Sequence, residues 1–169
     1  MKAIVVVDQN WAIGKDGGLL VHLSGDLKHF KEITLGKTVI MGRATLQSLP
    51  KQQPLPGRKN IVLTENARLT EDFMKCDFTV CSSMGTLFTE LIANGDMEDS
   101  FVIGGEKIYK QLLEYCTEVY ITKIDFAFPG ADKHFPNLDM QPDIWEVISE
   151  EAPITENGHS YHFMEYRRK

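Results

Sequence analysis

Apolar residues run unbroken from Ala3 through Val7 and stop at the acidic Asp8. A run this short and this rich in β-branched side chains predicts a strand buried on both faces. Residues 8–23 lose that pattern: they are mostly polar, contain Gly14, Gly17 and Gly18, and read as a long loop. A helical period then appears over residues 24–35. Leu27, Phe30, Ile33 and Thr34 fall on one arc, and Lys28, His29, Lys31 and Glu32 on the other. Residues 38–41 predict a second strand, which runs through Gly42-Arg43 into a short helix ending at Leu49. A Pro/Gly loop covers 51–59. Strands at 60–63 and 78–80, a helix over about 83–93, a strand at 101–103, Gly104-Gly105, a helix to Glu114 and a strand at 118–124 follow. The pattern closes with strands near 145–149 and 161–166, joined by a turn at Glu156-Asn157-Gly158.

Strand and helix alternating in this way imply right-handed crossovers and a parallel sheet. The last two strands read as an antiparallel hairpin. The predicted class is therefore α/β: a three-layer, mainly parallel twisted sheet with helices on both faces and an antiparallel C-terminal hairpin. Open sheets of this kind bind ligands outside the carboxyl ends of their strands. That rule singles out residues 8–23, 42–45, 64–68 and 103–107.

Composition narrows the class further. A chain of 169 residues fits one domain spanning 1–169, and 43% hydrophobic with 25% charged residues describes a soluble globular protein. A net charge of -6 argues against a general nucleic-acid binder, which would present a basic face. Cys76, Cys81 and Cys116 include no C-x-x-C pair and suit reduced thiols in a cytoplasm. The apolar run at 3–7 is too short for a signal segment or a membrane span. No long apolar helix face is left over, so a monomer is expected.

Three features carry candidate chemistry. The helical period puts Asp26 beside Phe30 and Ile33, inside the apolar arc. One reading makes Asp26 a first-turn acid complementing the helix N-terminus, with Ser24 as cap. The other makes it a cleft carboxylate awaiting a ligand that presents two adjacent N–H groups, because burying a lone carboxylate is costly. Second, Val39-Ile40-Met41-Gly42-Arg43-Ala44-Thr45 is a strand, a glycine and a helix start, and Phe101-Val102-Ile103-Gly104-Gly105-Glu106-Lys107 repeats the design. Free N–H groups at such junctions accept anions, although glycine after a buried strand is also ordinary turn chemistry and no G-x-G-x-x-G is present. Third, Arg58 and Lys59 sit on a stiff Pro/Gly loop, suited either to a ligand carboxylate or to solvent. His159 and His162, three apart on a strand, point to opposite faces and are not a shared metal pair; no metal site is expected.

Ile13-Gly14-Lys15, Asp26-Leu27-Lys28-His29-Phe30-Lys31, Thr38-Val39-Ile40-Met41-Gly42-Arg43, Leu55-Pro56-Gly57-Arg58-Lys59-Asn60, Ile103-Gly104-Gly105 with Tyr109, and Asp132-Lys133-His134-Phe135-Pro136 follow one another along nearly the whole chain. In order and spacing they resemble the dihydrofolate reductase family. The resemblance implies a dihydrofolate reductase-like fold and an NADPH-dependent transfer of hydride to C6 of dihydrofolate, with protonation at N5 and Asp26 acting on the ring. It implies that Thr122 supports Asp26, and that Ile4, Val5, Val6, Leu27, Phe30, Leu49 and Leu55 wall the pterin and aminobenzoyl groups. Arg58 would meet the glutamate carboxylate. Arg43 and Thr64 would hold the 2′-phosphate of NADPH, with Ala44 and Thr45 offering helix N-terminal amides. Gly104 and Gly105, joined by a cis peptide in the family, would lie against the cofactor. Glu106, Lys107 and Ile108 would cradle its pyrophosphate, and Ile103 and Tyr109 would line the nicotinamide side. Val6, Ile13, Gly14, Gly42, Leu63 and Cys81 would complete the cofactor surface. Residues 9–23 would close over the site, with Gly17-Gly18 as flexible points, and antifolates would compete for it.

Two departures stand out. Leu20-Val21 and Ser24 occupy positions where the family carries Pro-Trp and Pro, and Glu65 places an acid beside Thr64, with Arg68 as a compensating cation. Two other functions remain in view. A pyrimidine reductase of riboflavin synthesis would share the fold and NADPH, but should lack the Asp26-x-x-x-Phe30 helix with Arg58 downstream. A catalytically silent folate- or nucleotide-binding module would bind folate analogues without consuming NADPH.

Overall fold

The structure, a computed structural model, describes residues 1–66 and 77–169. Cys76 and Arg68 lie outside the described residues. The opening apolar run forms β1 (Lys2–Val7), which lies between β7 (Glu118–Ile124) and β6 (Ser100–Gly104), parallel to both. Beyond β6 come β3 (Thr38–Gly42), β4 (Lys59–Leu63) and β5 (Thr79–Cys81), all parallel. On the other side β11 (His159–Arg168) runs antiparallel to β7.

Side-chain alternation sorts the core into two layers. Val5, Val7, Ile40, Ile61, Val102 and Ile121 face one way, onto Leu87 and Leu91 of α3 (Met84–Asn94) and Ile108 and Leu112 of α4 (Glu106–Leu112). Val39, Met41 and Val62 face the other way, onto Leu46 of α2 (Arg43–Ser48). Val6 and Phe163 share that second face, where α1 (Ser24–Thr34) lies. α3 opens on a Ser83/Thr86 capping box.

Three elements differ from expectation. The loop at 8–23 contains β2 (Ala12–Gly14), paired antiparallel with β8 (Lys133–His134). Its tip is a tight turn: Lys15 and Gly18 exchange backbone hydrogen bonds, with Asp16 at φ 50° and Gly17 at φ 78°. Positive φ at both central residues is the geometry of a two-residue hairpin, which Gly17 adopts without strain. The helix after Gly105 ends at Leu112 and tightens to a 3-10 turn over Leu113–Tyr115. At the C-terminus, the Glu156 turn does not join the strand at 145–149 to β11. It joins β10 (Ile154–Glu156) to the first part of β11, while β9 (Trp145–Glu150) pairs with the last part. Pro153 lies in the gap between β9 and β10, and a residue without an N–H interrupts a ladder.

Candidate active site

The third residue of α1 is Asp26, and its side chain faces β7. Its Oδ1 accepts a hydrogen bond from Thr122 Oγ1 at 2.6 Å. Around it lies a cleft lined by Val6, Ile13, Leu19, Leu20, Val21, Leu23 and Leu27. Apolar walls disfavour the charged form, so burial raises the Asp26 pKa above its ordinary value; the Thr122 bond and nearby His29 offset this, and Glu156 adds to it. His29, placed by its period on the solvated arc, instead stacks on Phe163 with ring centroids 3.8 Å apart. Burying its aromatic face against β11 outweighs the helical pattern there.

Ser24 is not the cap of α1. That position falls to Leu23, which makes no side-chain capping bond. The first-turn donors go instead to Glu156, 132 residues away: its carboxylate accepts from Ser24 N at 2.7 Å, from Ser24 Oγ, and from Gly25 N at 3.0 Å.

Farther along α1, Arg58 is docked on the helix. Its Nη1 donates to Thr34 Oγ1 at 3.1 Å, its Nε to Pro56 O at 3.1 Å, and its guanidinium stands 5.7 Å from the Phe30 ring centre. Leu49, Leu55 and Ile103 share one apolar wall over Val39, Met41, Leu46 and Val62. The buried Asn60 fixes that wall, exchanging hydrogen bonds of 2.9 Å with the backbone N–H and C=O of Leu55.

The two strand-to-helix junctions meet. A Cβ on Gly42 would stand 2.8 Å from Ile108 Cγ1, and one on Gly104 would stand 2.8 Å from Thr45 Oγ1. Neither α2 nor α4 has a side-chain cap, so the first-turn amides of Arg43, Ala44 and Thr45 and of Glu106, Lys107 and Ile108 lack helical partners. The Gly104–Gly105 peptide is cis, as the resemblance implied. Glu106 turns its carboxylate toward Lys110 at 3.0 Å and the amide of His134 at 3.3 Å. Arg43 and Ala44 are exposed, Ile108 is buried, and Leu63 and Cys81 are buried partners across β4 and β5. Thr64 follows them, its N–H bonded to Cys81 O at 2.9 Å, with Glu65 exposed beside it. Ile13 and Gly14 belong to β2. Tyr109 lies in the main core and ties α4 to β1, donating from its hydroxyl to Ile4 O at 2.7 Å. Together these features form two connected regions at one end of the sheet: an apolar cleft with a single carboxylate, and a ridge of free amides flanked by glycines.

A family model described as Dihydrofolate reductase matches residues 1–168. The chain belongs to the dihydrofolate reductase family. It is 40% identical over 168 residues to the dihydrofolate reductase of Bacillus subtilis, covering 98% of this chain and 93% of that protein. It is 35% identical over 159 residues to that of Mycobacterium tuberculosis, covering 92% and 90%. Among solved structures, the dihydrofolate reductase from Enterococcus faecalis complexed with NADP(H) and RAB-propyl superposes with a TM-score of 0.80 at 34% identity, over 99% of this chain and 95% of that one.

Against the dihydrofolate reductase pattern, residues that sequence reasoning passed over come into view. Asp8 is buried and accepts from the backbone amides of Asn10, Ala12 and Phe128 at 2.8, 2.9 and 2.9 Å, which pins the base of the 9–23 loop. An Asp directly after a buried strand and before a turn was its available signal. Glu156 carried no local signal, because the amides it accepts from at Ser24 and Gly25 lie more than a hundred residues away, and Tyr161 reads only as part of a strand. Among the described residues no cluster of His, Cys, Asp and Glu forms a metal site.

Proposed function

We propose that the chain catalyses NADPH-dependent reduction of 7,8-dihydrofolate to tetrahydrofolate, with Asp26 as its catalytic carboxylate. The observation that carries this reading is the lone half-buried carboxylate of Asp26, held by Thr122 in an otherwise apolar cleft. One Asp26 oxygen is engaged and the other is free to accept from a pterin, whose 2-amino and N3 groups present two adjacent N–H donors. The negative charge so placed pushes electron density in the ring toward N5, favouring protonation there. Val21 has no donor with which to hold water near Asp26, so the proton reaches N5 from solvent entering the cleft.

NADPH, when bound, supplies the hydride for C6. The residues present fit it: the glycine-flanked amides at the two junctions leave room for backbone contact with phosphates, and Glu106 turns its charge away from them. Gly42, Gly104 and Gly105 permit the close approach, while Arg43 and Thr64 take the 2′-phosphate. Ile13 and Gly14 shape the surface around it, while Leu63, Cys81 and Ile108, buried in the main core, support it from beneath. In the cleft, Ile4, Val6, Leu27, Phe30, Leu49, Leu55 and Ile103 exclude water; Val5, expected there, turns its side chain to the opposite face of the sheet and into the main core. Tyr109 steadies β1, and Arg58 receives the substrate's terminal carboxylate. The enzyme's contribution is alignment and a preset electrostatic field. Antifolates presenting the same paired N–H groups occupy the same cleft.

The test is direct. Purified protein mixed with NADPH and dihydrofolate should consume NADPH. A folded protein that consumes none would overturn the reading in favour of a silent binding module; turnover of a pyrimidine substrate alone would favour the riboflavin-type reductase. The family match favours neither alternative.

Cofactor choice has its own check. Arg43→Ala removes one charge-assisted contact, worth about 1.5–3 kcal/mol. The KM for NADPH should rise about 10- to 100-fold while the KM for NADH stays put. Equal changes for both cofactors would place the 2′-phosphate elsewhere.

No helix among the described residues is long and apolar enough to cross a membrane, and Cys81 and Cys116 are free thiols. The free thiols suit a reducing compartment such as the cytoplasm; the protein is read as a single-domain monomer, which light scattering would report near 19.2 kDa. A stable mass of twice that would overturn the monomer.

A further inference from the structure

Ser24 and Gly25 are joined to the far end of the chain by an arrangement the reaction itself does not explain. Glu156, the last residue of β10, offers both carboxylate oxygens to the start of α1. One accepts from Ser24 N at 2.7 Å and from Ser24 Oγ; the other accepts from Gly25 N at 3.0 Å and from the Tyr161 hydroxyl at 3.2 Å. Tyr161 is buried, packed with Leu23 and Ile124 and against Val6 and Val21, so the carboxylate is anchored on the sheet side as well. Its hydroxyl also fills the space a side chain at position 25 would need: a Cβ built on Gly25 collides with Tyr161 Oη. The neighbouring Asn157 adds a bond from Nδ2 to His22 O at 3.1 Å.

These contacts converge on the turn that carries Asp26. The first-turn amides of a helix need external acceptors, and here the acceptor is a charged side chain fixed to β11 rather than a local cap. With Thr122 of β7 holding Asp26 Oδ1 at 2.6 Å, the first turn of α1 is gripped at its backbone and at its carboxylate. Ser24 matters to this grip through two donors, N–H and Oγ–H. Proline, which the family carries at this position, would supply neither.

We infer that Glu156 is a positioning residue for Asp26, clamping the first turn of α1 through Ser24, Gly25 and Tyr161. The inference rests on the reductase reading above. Its charge also faces Asp26 across that turn, together with His29 on α1 and the hydroxyls of Thr122, Tyr161 and Tyr109. A clamp that bears a like charge does two separable things: it holds the turn, and it keeps Asp26 less acidic.

The test uses the full chain, with wild type, Glu156→Gln, Ser24→Pro and the double variant. Proline is well suited to a first helical position, so Ser24→Pro removes two of the clamp's donors while keeping the helix. Glu156→Gln keeps the shape and removes the charge. The expected results are a loss of roughly fivefold in kcat/KM for dihydrofolate in each single variant, and a double variant little worse than either single. In Glu156→Gln the Asp26 titration, read by carboxyl carbon NMR on the free protein, should move to lower pH, and the pH profile of kcat/KM should follow it. Losses that simply multiply in the double variant would overturn the clamp, and an unmoved Asp26 titration would remove its electrostatic half. Because the NMR titration needs neither substrate nor cofactor, it separates this failure from a wild type that turns over no dihydrofolate, which would instead remove the reductase reading.

Discussion

Asp26→Asn should leave a folded protein that binds NADPH normally and reduces dihydrofolate about 10²- to 10⁴-fold more slowly. Asparagine keeps the size of the side chain and an oxygen for Thr122 Oγ1, which now sits 2.6 Å from Asp26 Oδ1. The second oxygen becomes an NH2 group, a donor facing donors. Two ligand N–H groups lose a charged acceptor. Bonds to a charged partner are worth about 1.5–3 kcal/mol each, and about 1.4 kcal/mol is a factor of ten in rate. On the proposed reading the carboxylate also acts on the ring during protonation, so the loss should appear in kcat as well as KM. NADPH affinity, followed by the fluorescence of the bound nucleotide, should be unchanged, because the amide ridge does not include α1. A variant with wild-type kcat/KM would remove Asp26 from the chemistry.

The same substitution should behave oppositely toward stability. Burial raises the Asp26 pKa in the folded state above its ordinary 3.8. Between those two values the folded protein binds more protons than the unfolded chain, so this group's contribution to stability falls as pH rises through the window. Above it, the ionised carboxylate is a standing cost. Asp26→Asn removes that cost, so the variant should melt at or above the wild-type temperature near neutral pH. The gap should close as pH drops below 3.8. Thermal unfolding at both pH values reads it, and a variant that is less stable only near neutrality would contradict the assignment of burial as the cause.

Asp26 was legible in the sequence because helical spacing put an acid among Leu27, Phe30 and Ile33. The parallel core strands were legible for a similar reason: short unbroken apolar runs have few alternatives in a soluble chain. What escaped was long-range. β2 is a strand only because β8, about 120 residues later, supplies its ladder, and three residues carry too little periodicity to announce it. Ser24 read as a cap on local chemistry, and it lost that role to a carboxylate brought in by the C-terminal hairpin. His29 read as solvated by its period and was captured by an aromatic neighbour on β11. In each case a tertiary partner overrode a local preference. The partners of Asp26 came by different routes: Thr122 through family resemblance, Glu156 only through the fold. The paired glycines at 104–105 were visible as letters, but their reason was not. Only the structure shows that Thr45, from another strand-to-helix junction, stands where a side chain would go.

Gly104→Ala therefore tests the second half of the site. Gly104 has φ at +141°, a backbone region that side chains rarely occupy, and its added Cβ would lie 2.8 Å from Thr45 Oγ1 and 3.4 Å from Thr45 Cγ2. Thr45 cannot swing away freely, because a β-branched side chain in a helix has few rotamers and it stands in the first turn of α2. The strained backbone costs about 1–3 kcal/mol, and overpacking about 1–3 kcal/mol more. For a combined cost of about 3 kcal/mol in a chain of this length, Tm should fall by about 6–12 °C. NADPH affinity should drop more than tenfold, since relief comes by moving the turn whose amides the proposal assigns to the cofactor. Adding Thr45→Ala should recover the overpacking share of the Tm loss and leave the backbone share. Complete recovery would mean that φ at position 104 carries no strain, and none would mean that Thr45 is not the obstacle. Retention of both Tm and NADPH affinity in the single variant would show that the two junctions are not in contact, and the shared amide ridge would have to be abandoned.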